Sequence, residues 1–393
     1  MAPIPRLRDY SGPALLSYGF RPFFLLGSFY AGIAVLAWLP IFYGELELSS
    51  VFTPRDWHIH EMLYGYLPAI ITGFMLTAVP NWTGRLPLQG RPLLVLVLVW
   101  VAGRIAVTFS ARIGWEAAAV IDNAFLLLVA AAVAREIVKG RNWPNLKVLV
   151  GVGILSAGNM AFHVEAHVQG SAGYGTRVGI SATMMLIMLI GGRIIPSFTR
   201  NWLARRNPGR LPAPFGRYDI VSVVAALVAL LAWIAVPEAR VTGPGLIAAG
   251  SLQAMRLGRW AGERAWRDPL VLILHVAYAF VPLGFVLTGL ASLGILPTAA
   301  GLHAWTGGAM GAMTLGVMSR ASLGHTGRAL VASASVRLLY LLLVASALAR
   351  ICAAIHPAWG DTLLHVAGGA WAAAFIGFGL VYWNILTRPR LAS

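Results

Sequence analysis

Long apolar stretches recur along the whole chain and constrain its fold more than any other feature. They are separated by charged residues or by glycine and proline, and each is roughly 18 to 26 residues long, enough for a helix to cross a hydrocarbon core of about 30 Å. The sequence therefore predicts an all-α polytopic membrane protein with about 12 transmembrane helices. The predicted spans are residues 20–43, 60–82, 92–110, 115–137, 146–168, 176–198, 218–236, 244–260, 269–292, 300–320, 334–354 and 361–386.

The composition agrees with this class. Of the 393 residues, 58% are hydrophobic and 11% are charged, and the mean hydropathy of +0.74 exceeds that of soluble globular chains. The first apolar run lacks the short core and cleavage site of a signal peptide, so we expect a retained helix. Because the loops are short, we expect a single transmembrane domain over residues 1–393, with an N-terminal segment 1–19 and a C-terminal tail 387–393.

The charged residues predict the orientation of the chain. Most of the 30 Lys and Arg residues lie in alternate loops, on the side that holds the N-terminus. Cytoplasmic loops carry such an excess, so both termini are predicted to be cytoplasmic. The net charge of +16 does not form a basic patch interleaved with aromatic residues, so we expect the lipid bilayer and no nucleic acid as a partner.

The second span contains the segment WHIHEMLYGYLPAIITGFMLTAVPNWTG, residues 57–84. Counted at 100° per residue, Gly65 and Gly73 form a stripe of small residues that His58 and Glu61 continue, whereas His60 points elsewhere. A smooth stripe lets a flat cofactor or a neighbouring helix come close. We therefore treat the N-terminal end of this helix as a candidate cofactor site.

Histidines are concentrated in the half of the bilayer that the orientation places outside. Imidazole is a common metal ligand and an axial ligand of haem iron, and a layer of buried histidines needs a compensating partner. A histidine near a helix end can instead bond a backbone carbonyl at the membrane interface. The histidines of this layer that are candidate metal ligands are His58, His60, His163, His167, His303 and His365.

The spacing of these residues limits the metal chemistry. His163 and His167 are four residues apart and can share a helix face, but they form HxExH rather than the HExxH of zinc proteases. With a single cysteine, Cys352, thiolate zinc, iron–sulfur and covalent haem sites are excluded. A nitrogen-rich site without thiolates favours copper over structural zinc.

Two further sets of charged residues have alternative interpretations. Arg104 and Asp122 lie in adjacent spans and are expected to pair, although Arg104 could instead hold a haem propionate. At the other end of the bundle, two motifs, GGRIIPSFTRNW and MSRASLGHTGR, supply a basic rim. This rim is expected to anchor lipid headgroups, or to bind an anion or a cofactor's carboxylates; its residues are Arg193, Arg200, Arg320, His325 and Arg328.

Together, HxHEM with GFMLTAVPNWTGR, then GGRIIPSFTRNWL and VMSRASLGHTGR, resemble the NnrS family of bacterial inner-membrane proteins across essentially the whole chain. This resemblance implies a protein with haem b and copper, linked to nitric oxide metabolism and defence against nitrosative stress. The family is also distantly similar to the catalytic subunit of haem–copper oxidases, which implies a similar helical bundle. That similarity points to His58 or His60 and to His303 as axial ligands. The stripe of Gly65 and Gly73 and the side chain of Arg104 are the candidates to lie beside such a cofactor.

The chain departs from the oxidase pattern in its sixth and seventh spans, which contain no histidine. Copper would then depend on His163, His167, His365 or whichever of His58 and His60 is free. We expect nitric oxide to bind at an iron position facing copper, with Glu61 supporting proton delivery, and electrons to come from quinol or a protein donor. The alternative is a transporter or channel with a histidine-lined path. The oligomeric state is left open.

Overall fold

The computed structural model describes residues 10–84, 86–206 and 209–391, and these contain helices and loops but no strand. The all-α prediction is thus confirmed. The α-helices are α1 (Phe20–Phe42), α2 (Pro54–His60), α3 (Leu67–Thr83), α4 (Arg91–Thr108), α5 (Ser110–Ile113), α6 (Trp115–Lys139), α7 (Leu146–Gln169), α8 (Gly173–Leu186), α9 (Gly192–Arg206), α10 (Arg217–Ala235), α11 (Thr242–Gly258), α12 (Pro269–Ser292), α13 (Thr298–His303), α14 (Ala312–His325), α15 (Ala334–Ile355) and α16 (Gly360–Thr387).

Three π-helical segments join pairs of these helices into longer rods. Glu61–Tyr66 joins α2 to α3, Ile187–Gly191 joins α8 to α9, and Ala304–Gly311 joins α13 to α14. A π-helical turn holds more residues than an α-helical turn, so it changes which side chains share a face. Such turns are frequent at functional sites, and two of these segments directly follow candidate histidines, His60 and His303.

Ten helical stretches of the described chain are long and apolar enough to cross a membrane. They support a multi-pass membrane protein. The predicted eighth and tenth spans correspond to α11, which has 17 residues, and to the glycine-rich rod of α13 and α14, and neither is among the ten. The count of twelve spans and the cytoplasmic location of the termini stay predictions, and residues 1–9 and 392–393 of the predicted terminal segments lie outside the described residues.

Local hydrogen bonds explain where several helices begin. The hydroxyl of Thr53 accepts a hydrogen bond from the backbone N–H of Asp56 at 3.2 Å, and Pro54 occupies the first position of α2. Asp268 caps α12 in the same way, through the N–H of Leu270 at 3.0 Å. Such caps satisfy N–H groups that a helix leaves without an internal partner. The second membrane helix therefore starts six residues before the predicted residue 60.

The chain forms two compact units, residues 1–179, 321–329 and 375–393 in unit 1 and residues 180–320 and 330–374 in unit 2. In unit 1, Arg21 of α1 donates to the carbonyl oxygens of Leu386 at 2.9 Å and Arg388 at 2.7 Å, which caps the end of α16. In unit 2, Trp305 is fully buried against the ring of Phe285. The single transmembrane domain stays a prediction.

Candidate metal centre

A cluster of five charged or ionisable side chains lies inside unit 1. It consists of His60, Glu61, Arg104, Asp122 and His163, of which Arg104 is the most exposed, at 6%. They come from the second membrane helix, α4, α6 and α7. Burying so many polar groups in an apolar bundle is costly unless they are paired, so their partners indicate what the cluster does.

In three of these residues, the atoms that could bind a metal converge. Nε2 of His60 and Nε2 of His163 each lie 3.2 Å from Oδ2 of Asp122. All three donor atoms lie within 4.8 Å of one another. Two imidazoles and a carboxylate form a donor set that first-row transition metals bind. The described residues thus fit a metal ion held by nitrogen and oxygen.

Hydrogen bonds around the three ligands orient them. The amide nitrogen of Asn159 donates to Oδ2 of Asp122 at 2.7 Å, and its oxygen lies 2.9 Å from Nε2 of His60. Nδ1 of His60 faces Oε1 of Glu61 at 2.9 Å. An Nε2 that binds a metal must carry no proton, and the remaining ring proton is then on Nδ1, which faces Glu61. A histidine whose outer nitrogen donates to a carboxylate is the common arrangement at metal sites, because that bond fixes the ring.

Arg104 and Tyr30 hold the two carboxylates. Nη1 of Arg104 lies 2.8 Å from both oxygens of Glu61, and its Nη2 donates to Oδ1 of Asp122. The hydroxyl of Tyr30 donates to Oε2 of Glu61. The predicted pair of Arg104 and Asp122 is present, with Glu61 as an additional partner. Two carboxylates and one guanidinium leave a net negative charge that favours a bound cation.

Aromatic side chains enclose the cluster. The ring of Phe52 lies 5.1 Å from the rings of both His60 and His163, and Phe162 lies 5.2 Å from His60. Nδ1 of His163 is buried and has no hydrogen-bond partner among the described residues. A buried polar atom without a partner is rare and marks a place where an ion or a water belongs. This orphaned atom lies on the ring edge away from Asp122, so it marks a place for a water beside the cluster rather than a ligand of the centre itself.

In each of the two histidine pairs of the sequence, one member lies in the cluster and the other lies outside it. His60 lies in the cluster, whereas the ring of His58 stacks on Trp38 with the centroids 4.1 Å apart. His163 also lies in the cluster, whereas His167 is exposed and stacks on Trp115 at 4.4 Å. His60 was expected to point away from the stripe that Glu61 continues, and its Nδ1 nevertheless lies 2.9 Å from Oε1 of Glu61. The helix becomes π-helical at Glu61, so the 100° count does not hold along this segment.

The remaining predicted histidines belong to unit 2. His303 is half-buried at the end of α13. His365 is exposed, and its Nδ1 donates to the carbonyl oxygen of Asp361 one turn earlier at 2.8 Å. This is the backbone contact expected of a histidine near a helix end. Their roles as metal or haem ligands stay predictions.

The two glycines of the small-residue stripe are covered by side chains of unit 1. A Cβ added at Gly73 would lie 2.8 Å from Cε1 of Phe24, and one added at Gly65 would lie 3.0 Å from Oε2 of Glu61. The carbonyl oxygen of Gly65 also accepts from the indole of Trp100 at 2.9 Å. Both glycines thus allow close packing within unit 1, and their contact with a haem stays a prediction.

The sequence did not predict three residues as members of this site. Asp122 was foreseen as the partner of Arg104 but not as a metal ligand, and Asn159 and Tyr30 were not singled out. The signal for Asn159 is a polar amide inside an apolar helix, four residues before His163. Tyr30 carries no comparable signal, because its side chain has no charge and only one polar atom on a large apolar ring.

The fold and the cluster together define a polytopic helical membrane protein with a buried His/Asp centre that can bind a metal. A comparison with protein families matches residues 14–390 to the NnrS protein family. The chain belongs to the NnrS family. Membership implies a membrane protein related to nitric oxide. A comparison with curated proteins gives no match.

Proposed function

We propose that the chain binds a copper ion between His60, Asp122 and His163 and binds or converts nitric oxide at this centre. The convergence of three buried donor atoms within 4.8 Å carries the proposal. Copper suits a set rich in imidazole and without thiolate. The role is defence against nitrosative stress in the bacterial inner membrane, which the family resemblance supports.

The residues around the ligands have separate tasks in this proposal. The metal, when bound, supplies a site where nitric oxide is held and polarised or reduced. Glu61 accepts a hydrogen bond from the Nδ1–H of His60 and so keeps Nε2 directed at Asp122. Arg104 balances part of the charge of both carboxylates, and Phe52 covers the two imidazole rings and excludes water.

Haem b is a further part of the proposal, and it rests on the family resemblance. His303 and His58 are the histidines outside the cluster that the resemblance assigns to an axial position. Electrons for any conversion of nitric oxide are proposed to come from quinol or a separate protein donor. Glu61 is proposed as the group that passes protons, because it contacts both Tyr30 and His60.

The experiment that tests the copper site is metal analysis of the detergent-purified protein, expressed with copper and haem, with optical and electron paramagnetic resonance spectra before and after nitric oxide. We expect copper in the wild type and a loss of about tenfold or more in His60→Ala, His163→Ala and Asp122→Asn. His58→Ala and His167→Ala are matched controls, one beside each ligand on the same helix, and should retain copper.

The outcomes separate the candidate functions. A copper signal that changes with nitric oxide and disappears in the three site variants supports the proposed centre. Copper that survives in these variants but is lost in His58→Ala or His167→Ala contradicts it. A colourless and metal-free wild type would favour the alternative of a transporter or channel with a histidine-lined path.

A further inference from the structure

The motif GGRIIPSFTRNW has no part in the copper centre, and it lines a separate cavity inside unit 2. The cavity has a volume of about 230 Å³. Arg193, Ser197 and Arg200 of α9 line it, and all three side chains are exposed. Their spacing of four and three residues places them along one face of the helix. This face presents two guanidinium groups with a hydroxyl between them.

The opposite wall is a short loop that hydrogen bonds hold in place. It consists of residues 212–215, and Trp260 completes the lining. Nη2 of Arg200 donates to the carbonyl oxygen of Pro212 at 2.8 Å, and the N–H of Ala213 donates to the carbonyl oxygen of Arg259 at 2.9 Å. The cavity is thus fixed by contacts within unit 2 and offers prolines and aromatic rings opposite the polar face.

The charges that line this cavity do not cancel. Asp219 is its acidic lining residue, but Oδ1 of Asp219 pairs with Nε of Arg256 at 2.9 Å. Oδ2 of Asp219 accepts the N–H of Gly216 at 3.0 Å. Arg193 makes no hydrogen bond or ion pair with any residue that the structure describes. The cavity therefore keeps a positive charge that no carboxylate among its described lining residues balances.

We infer that this cavity binds the phosphate group of an anionic ligand. A guanidinium presents a planar fork of N–H donors that matches the oxygens of a phosphate, and a nearby hydroxyl adds a further donor. Arg193 and Ser197 supply these groups, and Trp260 with Phe215 gives an apolar surface for the rest of the ligand. The phosphate can belong to a phospholipid headgroup at the membrane surface or to a soluble molecule.

The test uses the full-length protein, purified in detergent and stripped of lipid. One probe is inorganic phosphate, titrated by calorimetry, and the other is phosphatidylglycerol, counted as bound molecules by native mass spectrometry. The variants are Arg193→Gln and Ser197→Ala. Arg205→Gln is the matched control, because Arg205 is an exposed arginine of the same helix that does not line the cavity.

We expect saturable binding of at least one probe to the wild type and to Arg205→Gln, weakened about tenfold or more in Arg193→Gln and less in Ser197→Ala. Binding of phosphate assigns the cavity to a soluble ligand, and binding of phosphatidylglycerol alone assigns it to a headgroup. The inference is overturned if neither probe binds, or if Arg205→Gln loses as much affinity as Arg193→Gln. Should Arg193→Gln fail to elute as a folded protein, unchanged binding in Ser197→Ala decides against the inference.

Discussion

Replacing Arg104 by methionine would leave two carboxylates buried without their cation. Nη1 of Arg104 lies 2.8 Å from both oxygens of Glu61, and Nη2 donates to Asp122. Removing one partner of a buried ion pair costs about 3–5 kcal/mol. Because one guanidinium serves two carboxylates here, we expect the free energy of unfolding to fall by an amount near the upper end, about 5 kcal/mol.

Reversible unfolding in mixed micelles of dodecyl maltoside and dodecyl sulfate measures this change. Arg135→Gln is the control, because Arg135 is 60% exposed and pairs with Glu136 at 3.0 Å, and such a surface pair contributes at most about 1 kcal/mol. Adding Glu61→Gln and Asp122→Asn to the methionine variant should restore most of the loss, since no buried charge is then left unpaired. A loss in Arg104→Met no larger than in the control would refute the reasoning.

Two further predictions concern the copper centre and the packing of unit 1. Glu61→Gln should weaken copper affinity by about 10- to 100-fold without changing the number of ions bound, because Glu61 orients His60 rather than binding the metal; equal affinity in a competition titration would contradict this role. Gly175→Ala places a Cβ 2.6 Å from the backbone of Phe162, so we expect a loss of about 1–3 kcal/mol in the same unfolding assay. Gly153→Ala, where no atom lies within 4 Å of the added Cβ, should be neutral or stabilising, and the comparison fails if the two variants behave alike.

The positions of the long helices could be predicted because length and apolarity decide them. Residues 269–292 were predicted as a span and form α12 (Pro269–Ser292), where an aspartate followed by proline marks the start. The second span was predicted too short, because its first turns are polar and only the cap by Thr53 shows that they are helical. An average of hydropathy over a window contains no information about the hydrogen bond that caps a helix.

The composition of the cluster was harder to predict than the existence of a histidine-rich layer. Spacing places His163 and His167 on one face, but they lie about one turn apart along the helix axis. The packing of α7 against α6 decides which depth faces Asp122, and spacing does not contain that depth. The π-helical turn at Glu61 brings His60 rather than His58 to the cluster. By contrast, Arg104 and Asp122 were predictable as a pair, since a charge inside an apolar span demands a partner at the same depth.

The ion pairs of Arg104 also bear on how the protein is made. Glu61 precedes Arg104 in the chain, and Asp122 follows it on α6, so one partner is synthesised before the arginine and the other after it. An arginine costs about 2.5–3.5 kcal/mol at the centre of a membrane helix on insertion scales and less toward the end, where Arg104 lies. We therefore expect α4 to remain beside the insertion machinery until α6 emerges from the ribosome, so that the two helices enter the lipid together as a neutralised hairpin.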